Sequence, residues 1–416
     1  MAWVADLTSR PPAISRGRLV GATLAIFLVT LGVYWASAVV LDRTHTPDMA
    51  YFDQLADAFL QGRLYLLAPK STHDLTRFAG RWYVPFPPMP ALLLMPWVAV
   101  VGVGGVNTVL FSAVIGALNS SLAFWLLREL AERRWISLGG GDLLWLTTLW
   151  AFGSVHWYMS TLGTVWFVSQ LVTATFMLLA AVLALRTRQP FWSGLALVGV
   201  LWSRPLGVLV LPFVAVMGTL ETDGRLDLRR PFSWAATAAL PIVLGALALL
   251  AYNQVRFADP LDFGYLTQNV SREVLGDLRR YGQFNLHYLP RNLWAMLLAL
   301  PVVDEQGRWV PVIEGMSLLV TTPAILLALR AHGPHWLIVS AVLAIVLLWI
   351  PLGTYYNTGW WQFGYRFSLD FMVPLWVLIA LGARRRAGWL SRALILIGVV
   401  VNAWGTWWFL NPLFFD

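Results

Sequence analysis

Long apolar runs set the pattern of this chain. They cover residues 19–41, 106–127, 142–158, 163–185, 233–254, 315–330, 335–353, 368–383 and 391–410. Most are close to the ~17–25 residues that a helix needs to cross a bilayer. One further stretch is broken by Ser203-Arg204-Pro205 into halves at 191–202 and 206–218. The pattern predicts an all-α polytopic integral membrane protein with about eleven transmembrane helices. The first run has no small-residue cleavage site after it, so it reads as a span and not as a removable signal.

Two segments, 42–105 and 255–314, are too polar to span and too long to be simple connectors. Loops of that length tend to be functional. The short loops sort by charge. One set carries Arg10, Arg16 and Arg18; Arg128, Arg133 and Arg134; Arg186 and Arg188; Arg225, Arg229 and Arg230; Arg330; and Arg384, Arg385, Arg386 and Arg392. The turn at 159–162, on the opposite side, carries none. Basic loops stay in the cytoplasm. The N-terminus is therefore expected inside and the C-terminus outside, with both long loops on the outer face and a bacterial plasma membrane as the location.

Composition narrows the classes. Of 416 residues, 58% are hydrophobic and only 12% charged, about half the charge of a soluble domain. The mean hydropathy is +0.67. A net charge of +8 does not indicate nucleic acid here, because the basic residues sit in the short loops. Every basic residue but Lys70 is Arg, and with no Cys there are no disulfides or thiolate metal sites. Many of the 24 Trp residues lie at span ends (Trp35, Trp157, Trp336, Trp360, Trp361, Trp407, Trp408), which an interfacial belt explains.

The first long loop opens with Thr46-Pro47-Asp48-Met49-Ala50-Tyr51-Phe52-Asp53 and runs on to Gly62. Thr46 suits an N-cap, Pro47 a first turn and Gly62 a left-handed stop. A surface helix with its apolar stripe on Phe52, Leu55, Ala56, Phe59 and Leu60 follows. On that wheel Asp48 falls in the first turn within the stripe, Asp53 at its edge and Asp57 opposite. A carboxylate on an apolar face is either a first-turn dipole contact or functional. Gly80-Arg81-Trp82-Tyr83-Val84-Pro85-Phe86-Pro87-Pro88-Met89-Pro90 then leads into an apolar run, 91–101, that is short for a span. It is expected to be a second surface helix.

This order resembles the GT-C superfamily of membrane glycosyltransferases: a span, a loop with Asp48 and Tyr51-Phe52-x-x-Leu55-Ala56, a Pro87-Pro88 surface helix, and a second span. It is similar to the lipid A aminoarabinose transferases and the protein O-mannosyltransferases, over roughly residues 19–218. The resemblance implies transfer of a sugar from a polyprenyl-phosphate donor at the outer face. It implies that Asp48 is the catalytic carboxylate and that Arg204 meets the donor phosphate. On this reading 1–218 is the GT-C-like transmembrane module and 219–416 a variable C-terminal one. The sequence also departs from the pattern. Met49 stands where protein mannosyltransferases have Glu, and Gly163-Thr164-Val165-Trp166 lacks the acid of the aminoarabinose type. Cofactor use is left open, a divalent metal among the possibilities.

The residues themselves frame the chemistry. An inverting transfer needs a carboxylate to take the acceptor's proton and cations to hold a leaving phosphate. Arg suits phosphate because its planar fork donates two bonds at once. Arg204 lies mid-run beside a Pro, where a charge needs a reason. Tyr365-Arg366 follows Tyr355-Tyr356-Asn357-Thr358-Gly359-Trp360-Trp361-Gln362, a loop dense in aromatics and amides of the kind that binds sugars. Asp370 is placed to pair with Arg366, four residues earlier. Tyr51, Tyr83, Pro88, His156 and Arg256 complete the candidate contacts. The expected partners are a lipid-linked sugar donor, an unidentified acceptor and membrane lipids. No Walker loop, dinucleotide fingerprint or nucleophile elbow is present. The alternative class is a transporter or lipid flippase, which broken helices at Pro205 and Pro351 and an Arg at membrane depth also fit.

Overall fold

The structure is a computed structural model, which describes residues 16–359, 361–383 and 388–411. Arg10, Trp360 and Arg384, Arg385 and Arg386, used above, lie outside these residues.

In chain order the first helices are α1 (Arg16–Val40), α2 (Phe52–Leu60), α3 (Met89–Val101), α4 (Thr108–Glu132), α5 (Gly140–Phe152) and α6 (His156–Ser160). Then come α7 (Val165–Thr187), α8 (Pro190–Leu201), α9 (Leu211–Thr219), α10 (Arg229–Phe257), α11 (Arg272–Tyr281) and α12 (Leu289–Leu297). The last are α13 (Leu318–Thr321), α14 (His335–Gly353), α15 (Met372–Ala383) and α16 (Trp389–Leu410). Tight 3-10 turns precede α9 and α15, over Pro205–Val210 and Arg366–Phe371. Two small antiparallel hairpins complete the fold: β1 (Thr76–Phe78) with β2 (Arg81–Tyr83), and β3 (Val302–Val303) with β4 (Trp309–Val310).

Among the described residues seven helices are long and apolar enough to cross a membrane: α1, α4, α7, α10, α14, 366–383 and α16. The apolar helices α3, α8 and 205–219 are shorter. Two expected spans are broken. The 142–158 run splits into α5 and α6, and the 315–330 run into α13 and a 3-10 segment over Pro323–Arg330. Pro323 explains the second break, because it disfavours α geometry in the residue before it; Thr322 sits at φ −142°.

Periodicity is weak in these helices because the chain buries apolar faces against both protein and lipid. α4, α7 and 366–383 lie largely inside the bundle. α10 turns Leu240, Val243, Leu244 and Leu247 outward, as a lipid-facing helix must. Small residues set the close approaches. A Cβ at Gly194 on α8 would fall 2.2 Å from the Ala238 carbonyl of α10, so the two backbones touch.

The two ends of the bundle differ. At one end Arg186 pairs with Glu129, Arg188 and Arg230 with Glu221, and Arg392 with Asp142. At the other end both long loops meet. The Arg43 Nε donates to the Leu410 carbonyl, joining the ends of α1 and α16. Thr76 bridges to Gln268, and Asp74 N donates to the Asn269 carbonyl at 2.9 Å. Phe284 bridges to Tyr355. The Met89 amide, opening α3, donates to the Trp202 carbonyl at the α8 break.

Candidate functional site

The first loop differs from the helix expected of it. α2 begins at Phe52, not in the Thr46-Pro47-Asp48 turn. Tyr51 has φ +54°, a left-handed conformation that helical residues do not adopt. It separates α2 from a turn in which Ala50 N donates to the Pro47 carbonyl. Thr46 caps nothing in α2. Its hydroxyl donates to the Val106 carbonyl and accepts from Thr108 N, tying the loop to the start of α4. Asp48 is exposed in the turn, and its neighbour Met49 accepts from Val165 N at the start of α7. The stop at Gly62 stands: φ is +69°, Arg63 N donates to Ala58 O and Gly62 N to Phe59 O, a Schellman closure.

The later helix start changes the carboxylate faces. Asp53 is buried, not at an edge. Burial raises its carboxyl pKa, which Lys70 partly offsets. Asp57 lies at the surface, accepting from Gln61 at 2.8 Å.

Arg204 sits in the break between α8 and the 205–210 turn, with φ −146° and ψ 100°, the extended form that a following Pro imposes. Its guanidinium pairs with Asp370 at 2.7 Å and keeps 24% of the side chain open. Asp370 therefore pairs with Arg204, not with Arg366 as spacing predicts, because a 3-10 turn over 366–371 replaces the helical one. Arg366 is buried. It donates to the Gly359 carbonyl and to Gln170 Oε1, both at 3.0 Å. Gln170 reaches on to Asp370 at 3.4 Å. The two guanidiniums share the Phe367 ring, 5.4 and 5.0 Å from its centroid, a cation–π seat. Among the described residues Asp370 is the one carboxylate ion-paired with either guanidinium, so the two like charges held this close suit an anion.

Aromatic residues surround this pair. Tyr355 packs on Phe367 at 6.1 Å and on Phe284 at 5.5 Å. Burial raises the phenol pKa values of Tyr265, Tyr355 and Tyr356, so they stay neutral donors. An apolar groove of about 340 Å³, lined by Phe59, Leu64, Pro88, Leu92, Trp202, Leu249 and Tyr252 together with Gly62 and Arg63, opens beside the Arg204 break.

The other sequence candidates divide. Pro88 caps α3 and lines the groove. Tyr51 is buried and donates to the His73 carbonyl at 2.6 Å; burial pushes its pKa up to about 12. Tyr365 is buried, its ring 5.9 Å from Phe367. Tyr83 packs on Phe257 at 5.3 Å. Arg256 is buried and donates to Val84 O and Asn253 Oδ1, both at 2.7 Å, pinning the first loop to α10. His156 is fully buried, with its ring beside Tyr34, Ser160 and Asn119 at 3.2–3.4 Å. These contacts join α1, α4 and α6 within the bundle. Asp74, Trp166, Gln170 and Tyr265 were not singled out by the sequence. They lie in irregular segments or inside an apolar helix, where no periodic signal marks them.

Fold and site together define a mostly helical polytopic membrane protein with a cationic, aromatic-walled site at one end. No protein-family model matches the chain, and no curated protein matches it significantly. Among solved structures it is similar to ArnT from Cupriavidus metallidurans bound to undecaprenyl phosphate: 15% identity, TM-score 0.50, covering 93% of this chain and 64% of that one. It is also similar to the archaeal oligosaccharyltransferase AglB from Archaeoglobus fulgidus, in complex with an inhibitory peptide and a dolichol-phosphate: 14% identity, TM-score 0.46, covering 93% of this chain and 55% of that one. The chain spans less than two thirds of the length of either structure. The fold is GT-C-like.

Proposed function

We propose that this protein is an inverting glycosyltransferase that moves a sugar from a polyprenyl-phosphate donor to a lipid, glycan or protein acceptor at the outer face of the membrane. The observation that carries this reading is Arg204, a partly open guanidinium fixed at a helix break between a second, buried Arg and an apolar groove. That combination suits a molecule with an anionic phosphate and a long apolar tail. The undecaprenyl phosphate bound to ArnT and the dolichol-phosphate bound to AglB are molecules of this kind.

The reaction is a single displacement. An acceptor hydroxyl oxygen attacks the anomeric carbon, and Asp48 takes the hydroxyl proton. The bond between the anomeric carbon and the phosphate oxygen breaks with inversion, and its electron pair leaves on the polyprenyl phosphate. Arg204 holds that phosphate with charge-assisted bonds, while Arg366 adds positive potential from behind through the shared Phe367 face. The first isoprene units lie in the groove beside Pro88 and Trp202.

Purified protein supplied with labelled polyprenyl-phosphate sugars and membrane acceptors tests this. Turnover to a new glycoside is expected. Arg204→Ala should weaken binding of undecaprenyl phosphate by about ten- to a hundredfold, the range of a lost charged hydrogen bond. Arg204→Lys should rescue little, because it loses the fork. Unchanged affinity in Arg204→Ala removes this residue from the site. Movement of the lipid across vesicles without glycoside formation would favour a flippase.

A further inference from the structure

Asp74 is a carboxylate from the first loop that the reaction above leaves unused. It is held from several directions. The Trp166 indole of α7 donates to its Oδ2 at 2.8 Å. Its amide donates to the Asn269 carbonyl, and its own carbonyl accepts from Gln268 Nε2 at 3.1 Å. Its φ of +59° is a conformation that a non-glycine residue keeps only when its surroundings over-determine it. Two segments far apart in sequence thus hold this residue, one at its carboxylate and one at its backbone.

Its charge is not spent on a structural ion pair. Among the described residues its ionic neighbour is His73, whose Nε2 lies 3.9 Å from Oδ2. Nothing among them bonds Oδ1, and 17% of the side chain is open. Arg366 and the Tyr265, Tyr355 and Tyr356 phenols lie near enough to couple to its charge. Asp74 thus lies in the electrostatic neighbourhood of Arg366. The Trp166 and His73 rings, 6.1 Å apart at 81°, stand beside the carboxylate, their ring nitrogens 2.8 and 3.9 Å from Oδ2. A fixed carboxylate oxygen beside aromatic faces binds polyhydroxylated rings, since hydroxyls donate to the oxygen while C–H faces lie on the rings.

We infer that Asp74 positions the transferred sugar: Oδ1 accepts hydrogen bonds from the glycosyl hydroxyls while Trp166 fixes Oδ2. This rests on the donor reading above and divides that donor between two anchors, phosphate at Arg204 and sugar at Asp74. The full-length protein in lipid nanodiscs tests it by binding of undecaprenyl phosphate and a panel of undecaprenyl-phosphate hexoses and pentoses. Wild type should bind at least one glycosylated lipid more tightly than the bare one. Asp74→Asn keeps the shape but makes a weaker acceptor. It should reduce binding of that glycosylated lipid about tenfold and leave undecaprenyl phosphate unchanged. Trp166→Phe, which keeps an aromatic face and removes the N–H, should shift the same preference in the same direction; it decides alone if Asp74→Asn does not fold. An unchanged preference in the variants overturns the inference, and so does equal loss of both lipids, which marks a structural residue. A wild type that binds undecaprenyl phosphate but prefers no sugar also overturns it. Failure of wild type to bind even undecaprenyl phosphate sinks the donor reading, and this inference with it.

Discussion

Asp48 shows how a residue is judged by where its backbone puts it. Its position in a first helical turn would have explained it by the helix dipole alone. The structure removes that explanation, because the helix starts at Phe52 and Asp48 stands in an exposed turn beside the start of α7. An open carboxylate beside the start of α7, the helix whose Trp166 holds Asp74, fits a proton acceptor. Asp48→Asn should abolish turnover while undecaprenyl phosphate still binds, because Asn keeps the shape but takes no proton. Asp57→Asn, at the surface and bonded to Gln61, should stay active. Asp53 cannot be the same kind of control. Burial raises its pKa, so the fold favours the protonated acid. Its contribution to stability is greatest at acid pH and falls as pH rises through the raised value. Asp53→Asn should therefore raise the melting temperature at neutral pH. Near-native turnover in Asp48→Asn, or equal inactivity in Asp57→Asn, refutes the assignment of the base.

The elements were more legible than the contacts between them. The long helices α1, α4, α7, α10, α14 and α16 follow apolar runs that a window over the sequence picks out, because lipid rewards length and apolarity directly. The breaks were harder. Pro205 marked one, but the split between α5 and α6 occurs at Gly153-Ser154-Val155, where a lone Gly within an apolar run is a signal that helices also tolerate. The site's pairings were not legible, since Arg204 and Asp370 are brought together by packing and not by spacing. Gly194 is a similar case: nothing in its run shows that it faces the Ala238 carbonyl. Gly194→Ala must push α8 from α10, because its Cβ meets backbone at 2.2 Å and backbone cannot swing aside. A loss of about 1–3 kcal/mol, the usual penalty of overpacking, is expected in thermal unfolding. Gly141→Ala, near the start of α5 with nothing within 4 Å, should cost nothing. Equal stability of both variants would mean that α8 and α10 are not packed backbone to backbone.

For the whole molecule the question is which end faces the cytoplasm. Arginines gather at the end where Arg186 meets Glu129 and Arg188 meets Glu221, and the positive-inside rule assigns that end to the cytoplasm. On that expectation the long loops, the groove and Arg204 would face outward, where the proposed lipid-linked donor and an acceptor would meet. Absence of Cys makes the assignment open to a direct chemical test, since each introduced thiol is the sole reactive one. Leu266→Cys lies in the second long loop at a position 70% exposed. Arg225→Cys lies in the opposite loop, where the native side chain is 73% exposed. A membrane-impermeant maleimide should label the first in intact cells and the second only after permeabilisation. A reporter fused at Asp416 should agree with Leu266→Cys, because α16 ends where Arg43 meets Leu410. Labelling of both cysteines from the same side would refute the span assignment. Labelling of Arg225→Cys alone in intact cells would invert the protein, placing the site in the cytoplasm and removing the case for an outer-face transfer.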